Sequence, residues 1–263
     1  MNSTESQALF NVPTYWPSKG AAFAVASLYY ALGIALLVES KLSRRYRYMH
    51  LTVLISWMLG GAFTARGVFV VQEARSNDPF IAFSVLSSVA PNLINLVNYL
   101  LLINLMRGLH VGPSKGKLVL LRAFAATAAI AFGAVSAAGA ALLSGDPLSG
   151  KYLTGYKLYK ASTAGQMATS LLFVLIATGL TMAYKEALAL REWVAMIFVG
   201  GLFMVARNIT RMIVVFDLSD SLIRDSEAAY YCLDPLFTLI IISTWAVLNL
   251  PRRCHHEAKT VSL

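Results

Sequence analysis

Seven stretches of this 263-residue chain are each long and apolar enough to cross a lipid bilayer, and no other feature of the sequence restricts the fold as strongly. Crossing the hydrocarbon core takes ~20 mostly apolar residues in helical form, because every backbone N–H and C=O inside lipid must be satisfied within its own segment. The stretches are 20–39, 51–71, 81–106, 118–143, 161–184, 193–216 and 229–249. The third and fourth exceed what a perpendicular crossing needs and are expected to tilt or to extend past the membrane. Composition agrees, with 57% hydrophobic and 13% charged residues and a mean hydropathy of +0.63, outside the range of ordinary soluble domains. The expected fold is all-α: a polytopic membrane protein with an external segment 1–19, a seven-helix transmembrane bundle over 20–249 and a cytoplasmic tail over 250–263. The connections are too short for a soluble domain, and no internal repeat suggests two inverted halves.

Orientation follows from the basic residues. Twelve of them, including Lys41, Arg44, Arg45, Arg107, Lys185, Arg252 and Arg253, fall on the side of the first, third and fifth connections and the tail; six fall on the other side, where the sixth connection is acidic with Asp217, Asp220 and Asp225. The positive-inside bias predicts an external N-terminus and a cytoplasmic C-terminus. It also accounts for the net charge of +9 without nucleic acid, since the basic residues cluster between apolar runs instead of interleaving with aromatics. Residues 1–20 lack the basic start and apolar core of a secretory leader, so the first apolar run is expected to serve as the targeting signal. Asn2-Ser3-Thr4 is a candidate glycosylation site on the external side. Cys232 and Cys254 support neither a disulfide framework nor a metal motif, and Cys254 with His255 and His256 reads as a solvated tail. No cofactor and no metal is expected. Tyr15, Trp16, Tyr184, Trp193, Tyr230 and Tyr231 stand near segment ends, as an interfacial belt requires. The alanine-rich fourth stretch, with Gly133, Ser136 and Gly139 at helical spacing, reads as a close-packing helix.

Ionisable side chains in lipid are costly and need partners, which singles out 207–234. Arg207 and Arg211 are four apart and share a helix face; Glu227, Tyr231 and Asp234 follow at spacings of four and three and share another. The topology puts Arg66 on the second span ~7–8 Å from its outer end. Arg211, Asp234 and Gln166 lie at a similar depth, and Asn92, Asn95 and Asn98, with Tyr99, step toward mid-membrane. Read singly, these residues are buried ion pairs and interhelical hydrogen bonds. Read together, three arginines against two acids leave a positive surplus that a static core avoids, and an outward-facing polar pocket relieves it. The candidate ligand-binding residues are Arg66, Asn95, Tyr99, Gln166, Arg207, Arg211, Glu227, Tyr231 and Asp234.

Tyr15-Trp16-Pro17-Ser18 before the first span, Phe63-Thr64-Ala65-Arg66 in the second, Ala90-Pro91 followed by Tyr99 in the third, Arg207 and Arg211 in the sixth, and Glu227, Tyr231 and Asp234 leading into the seventh together resemble the fungal RTA-like, lipid-translocating exporter family. That family includes the 7-aminocholesterol-resistance and sphingoid long-chain-base exporter proteins. The resemblance implies seven spans, an external N-terminus, and lipid or sterol-related export or stress resistance. This chain departs from the pattern at Leu59 and Val214, where acids are expected, at Asn104 in place of an arginine, and in the alanine-rich fourth span.

The reading that follows is a lipid-translocating or lipid-stress-resistance protein of the plasma membrane or an endomembrane, with a lipid or other hydrophobic small molecule as partner. The chain carries no glycine-rich loop before a lysine, so transport would not draw on ATP hydrolysis within it. The alternative is an intramembrane enzyme of terpene-cyclase type, or an accessory protein of secondary metabolism, in which Glu227 or Asp234 acts as general acid beside Tyr231. A seven-helix receptor fits less well, because Asn104-Leu105-Met106-Arg107 replaces an acidic-Arg-aromatic triplet and the seventh span holds no lysine for retinal.

Overall fold

The computed structural model describes residues 17–42, 47–72, 78–108, 114–143, 149–183, 188–216 and 226–247. These residues form eight helices and no strand: α1 (Lys19–Leu42), α2 (Arg47–Val71), α3 (Asp78–Gly108), α4 (Lys115–Leu143), α5 (Gly150–Ala183), α6 (Leu188–Phe216), α7 (Glu227–Leu233) and α8 (Pro235–Val247). Taking α7 and α8 as one broken span, seven helical spans are long and apolar enough to cross a membrane. The protein is an integral, multi-pass membrane protein.

Local chemistry explains the helix ends. Ser18 caps α1, its hydroxyl accepting from Ala21 N–H and its carbonyl from Ala22 N–H. Ser226, in an extended conformation, caps α7 through the Ala229 N–H. Helix α5 starts at Gly150, well before the stretch expected from hydropathy. Lys151, Lys157 and Lys160 interrupt the apolar pattern there without interrupting the helix. The seventh span is not continuous. Asp234 donates its N–H to the Tyr230 carbonyl, but Pro235 has no N–H to offer Tyr231, so α7 ends and α8 starts with proline at its favoured first position.

Consecutive spans pack as neighbours from α1 to α6. The ring is closed by α8, which lies against both α6 and α1, while α3 also reaches α5 and α6. That central place of α3 shows in its burial: Ile94, Val97, Leu101 and Leu102 are fully enclosed. Large apolar side chains such as Ile34 on α1, Leu120 and Ile130 on α4 and Leu175 on α5 point outward, where a bilayer would meet them. Polar residues are kept inside, the arrangement lipid favours. Close approach of α4 and α5 depends on glycine: a Cβ built on Gly139 would stand 3.0 Å from the Gly155 carbonyl, and one on Gly155 would stand 2.6 Å from Leu142 Cβ. The small residues of the fourth span therefore let two backbones touch.

Candidate functional site

Helical spacing brings Arg207 and Arg211 onto one face of α6, and the break between α7 and α8 delivers a carboxylate to that face. Arg207 Nε donates to Asp234 Oδ1 at 2.6 Å, and Arg211 Nη2 lies 2.5 Å from Asp234 Oδ2, so each carboxylate oxygen has its own guanidinium. Arg207 is 2% exposed and Asp234 5%. The other arms of Arg207 are also engaged, Nη1 with Asn208 Oδ1 (3.2 Å) and Nη2 with the Ser87 carbonyl (3.3 Å). Pro91 explains why that carbonyl is free: it stands four residues after Ser87 inside α3 and lacks the N–H that would otherwise claim it. Arg211 Nη1 donates to Tyr159 Oη at 3.1 Å, and that hydroxyl is 3.2 Å from Ser88 Oγ. A cavity of about 10 Å³ adjoins the centre, lined by Leu59, Phe63, Pro91, Tyr230, Pro235 and Thr238 along with the charged groups. This is room for about one water.

Arg66 is one aromatic ring removed from that cavity. Its guanidinium carbon lies 4.4 Å from the Tyr230 ring centroid, 5.1 Å from Phe83 and 5.7 Å from Tyr231, and the residue is 5% exposed. Three ring faces compensate part of the desolvation of a buried cation. Glu227, at the start of α7, accepts from the Ser18 backbone N–H at 2.6 Å and so ties α1 to α7 at the end of the bundle.

A hydrogen-bonded chain leads from the arginine centre toward the middle of the bundle. Asn208, which accepts from Arg207, donates through Nδ2 to Ser170 Oγ at 2.8 Å, and Asn95 Nδ2 donates to the same oxygen at 2.7 Å. The Ser170 hydroxyl in turn donates a hydrogen bond to the Gln166 carbonyl at 3.0 Å. Tyr99 Oη donates to the Thr169 carbonyl at 2.9 Å. A second cavity of about 10 Å³ lies here, lined by Asn92, Asn95, Tyr99 and Thr169 and by Ala125, Ala128 and Ala129 of α4. Asn95 Oδ1 is buried with no hydrogen-bond partner among the described residues.

Of the residues singled out from sequence, Arg207, Arg211 and Asp234 meet directly, and Arg66 and Tyr231 share an aromatic cluster beside them. Asn95 and Tyr99 line the second cavity, with Gln166 between the two, and Glu227 stands apart at the helix end. Asn2 lies outside the described residues, as do Tyr15, Trp16, Tyr184 and the cysteine and histidines of the tail. Sequence reasoning did not bring in Asn208, Ser170, Tyr159, Tyr230 or the Ser87 carbonyl. Only the last had a signal, a proline four residues downstream in a long apolar helix.

Comparison with protein families matches residues 57–257 to the model described as RTA1 like protein, a match that includes most of the chain and every charged residue of the centre. The chain belongs to the RTA1-like family. Neither the curated proteins nor the solved structures contain a match to it. Among the departures from the family resemblance, Leu59 lines the first cavity, so an apolar side chain faces the arginines where that resemblance leads one to expect an acid.

Proposed function

We propose that this RTA1-like protein handles an amphipathic, lipid-like molecule. The centre of Arg207, Arg211 and Asp234 holds an anionic or hydroxylated head group, and the apolar flanks take the chain or ring system. The observation that carries the reading is the charge balance. The buried guanidiniums of Arg207 and Arg211 converge on the single carboxylate of Asp234, two cations on one anion. Ionisable side chains gathered inside a membrane bundle are costly, and such clusters mark ligand pathways. With the N-terminus external, as the basic residues imply, the centre opens toward the outer leaflet and suits translocation or export. The cyclase alternative has less behind it. Both Asp234 oxygens are occupied by guanidinium N–H groups, and Glu227 is engaged with Ser18, so neither is aimed at a substrate as an acid.

The test is binding of three amphipaths with one tail to the purified protein in nanodiscs: dodecyl phosphate, dodecyl maltoside and dodecyltrimethylammonium. The phosphate or the maltoside should bind more tightly than the ammonium, and Arg207→Met should weaken that binding about tenfold or more. Efflux of a fluorescent anionic lipid analogue should also be faster from cells carrying the protein. Equal binding of all three amphipaths together with unchanged efflux would overturn the reading.

A further inference from the structure

The head-group centre already contains an anion of its own, and its geometry says what that anion stands in for. Arg207 and Arg211 address the two oxygens of Asp234 separately, an arrangement that any carboxylate, phosphate or sulfate can reproduce. Neither arginine depends on Asp234 alone for its position: Arg207 is also fixed by the Ser87 carbonyl and Asn208, and Arg211 by Tyr159. Arg211 Nε is a further buried donor with no hydrogen-bond partner among the described residues, beyond what one carboxylate satisfies. The carboxylate, by contrast, sits at the break in the seventh span. Asp234 closes a seven-residue helix that contains no buried residue, and the next residue is a proline that cannot carry the helix through.

We propose that Arg207 and Arg211 form a seat for one oxyanion group and that the Asp234 carboxylate is its resident occupant, displaced when the anionic head group of a ligand takes the seat. The proposal deepens the reading given above and rests on it for the source of the displacing anion. The seat itself rests on the two guanidiniums and on how they are held. Displacement moves α7 at its joint with Pro235 and leaves the arginines where they are. The same chemistry is available from a free small anion and from a lipid head group, and the two are separated by experiment.

Asp234→Ala removes the occupant and leaves the seat. Purified in nanodiscs, this variant should melt below wild type and regain several degrees with millimolar acetate or inorganic phosphate, saturably, relative to chloride at matched ionic strength. Wild type should gain nothing. The rescue should disappear in Asp234→Ala/Arg207→Met. Absence of any anion-specific gain in Asp234→Ala overturns the proposal. If the alanine variant does not fold, Asp234→Asn keeps the shape and removes the charge. It should bind dodecyl phosphate about tenfold more tightly than wild type, and equal or weaker binding overturns the proposal. Rescue by acetate without tighter binding of dodecyl phosphate supports a seat for free anions and removes the lipid as displacing ligand. Wild-type binding of dodecyl phosphate with no effect of either Asp234 change keeps the lipid reading and removes the seat.

Discussion

Arg207 uses each of its three guanidinium nitrogens on a different acceptor from a different source: a carboxylate of the seventh span, an amide of its own helix and a backbone carbonyl of α3. Removing it takes one of two guanidiniums from a buried carboxylate and leaves the Ser87 carbonyl and the Asn208 amide oxygen without their donor, so Arg207→Met should cost ~3 kcal/mol or more of stability. Arg211, whose side chain is 18% exposed, leaves Asp234 still paired with Arg207, and Arg211→Met should cost ~2 kcal/mol or less. Unfolding midpoints of the two variants in the same detergent test the ranking; equal midpoints would mean that the three-way engagement of Arg207 contributes nothing. Part of this was legible in the sequence. Two arginines four apart, and an acid in the next span, are visible as faces of helices. Asn208 was not, because the residue after Arg207 lies ~100° round the helix and periodicity assigns it to another face. It nevertheless reaches both Arg207 and Ser170, since α5 packs along that second face.

At the scale of elements, prolines and glycines decide what the helices can present. Pro91 gives Arg207 an acceptor by withholding an N–H from the Ser87 carbonyl. Pro91→Ala restores the helical bond and makes α3 compete with Arg207 for the same oxygen. Thermal stability should be unchanged or higher, while affinity for dodecyl phosphate falls about three- to tenfold, the opposite movement of stability and function that marks a residue serving the site. A parallel loss of both would instead make Pro91 a packing residue. The α4–α5 contact yields a different prediction. Gly155→Leu would drive a side chain into Leu142 and the Gly139 carbonyl, costing ~1–3 kcal/mol or more, whereas Gly150→Leu, with open space around it, should be nearly neutral. Melting curves of the two variants check this. Small residues at helical spacing made that contact readable from α4. The early start of α5 was not readable, because hydropathy registers the charge on Lys151, Lys157 and Lys160 and not the helix that holds them. The break at Asp234 did carry a signal in Pro235, but hydropathy counts the apolar residues on both sides as one span and does not register the missing N–H.

Over the whole molecule, the closure of the ring by α8 against α1 and α6 brings the last span back beside the first, so charges far apart in sequence converge at one level. Tyr29 of α1 marks this closure, donating to the Pro235 carbonyl at 2.9 Å and lying 2.5 Å from Thr238 Oγ1. The beginnings of α1 and α7, joined by Ser18 and Glu227, are at the same end of the bundle as Asp234, so the side that this end faces decides which leaflet can supply a head group. The distribution of basic residues predicts that it faces outward. A membrane-impermeant maleimide can decide between the two orientations. In a Cys232→Ser background, Ser3→Cys should be labelled on intact cells, whereas the native Cys254 of the tail, in a variant without the introduced cysteine, should be labelled only after permeabilisation. Labelling of Cys254 on intact cells would invert the topology and place the arginine centre toward the cytoplasmic leaflet. That leaflet carries most of the anionic lipid in a typical plasma membrane, so the same anion seat would then draw its ligand from an abundant pool. With the predicted orientation it meets a leaflet poor in anionic lipid. Occupation by Asp234 then keeps the seat filled between ligands, and a scarce anionic amphipath must displace a carboxylate already in place.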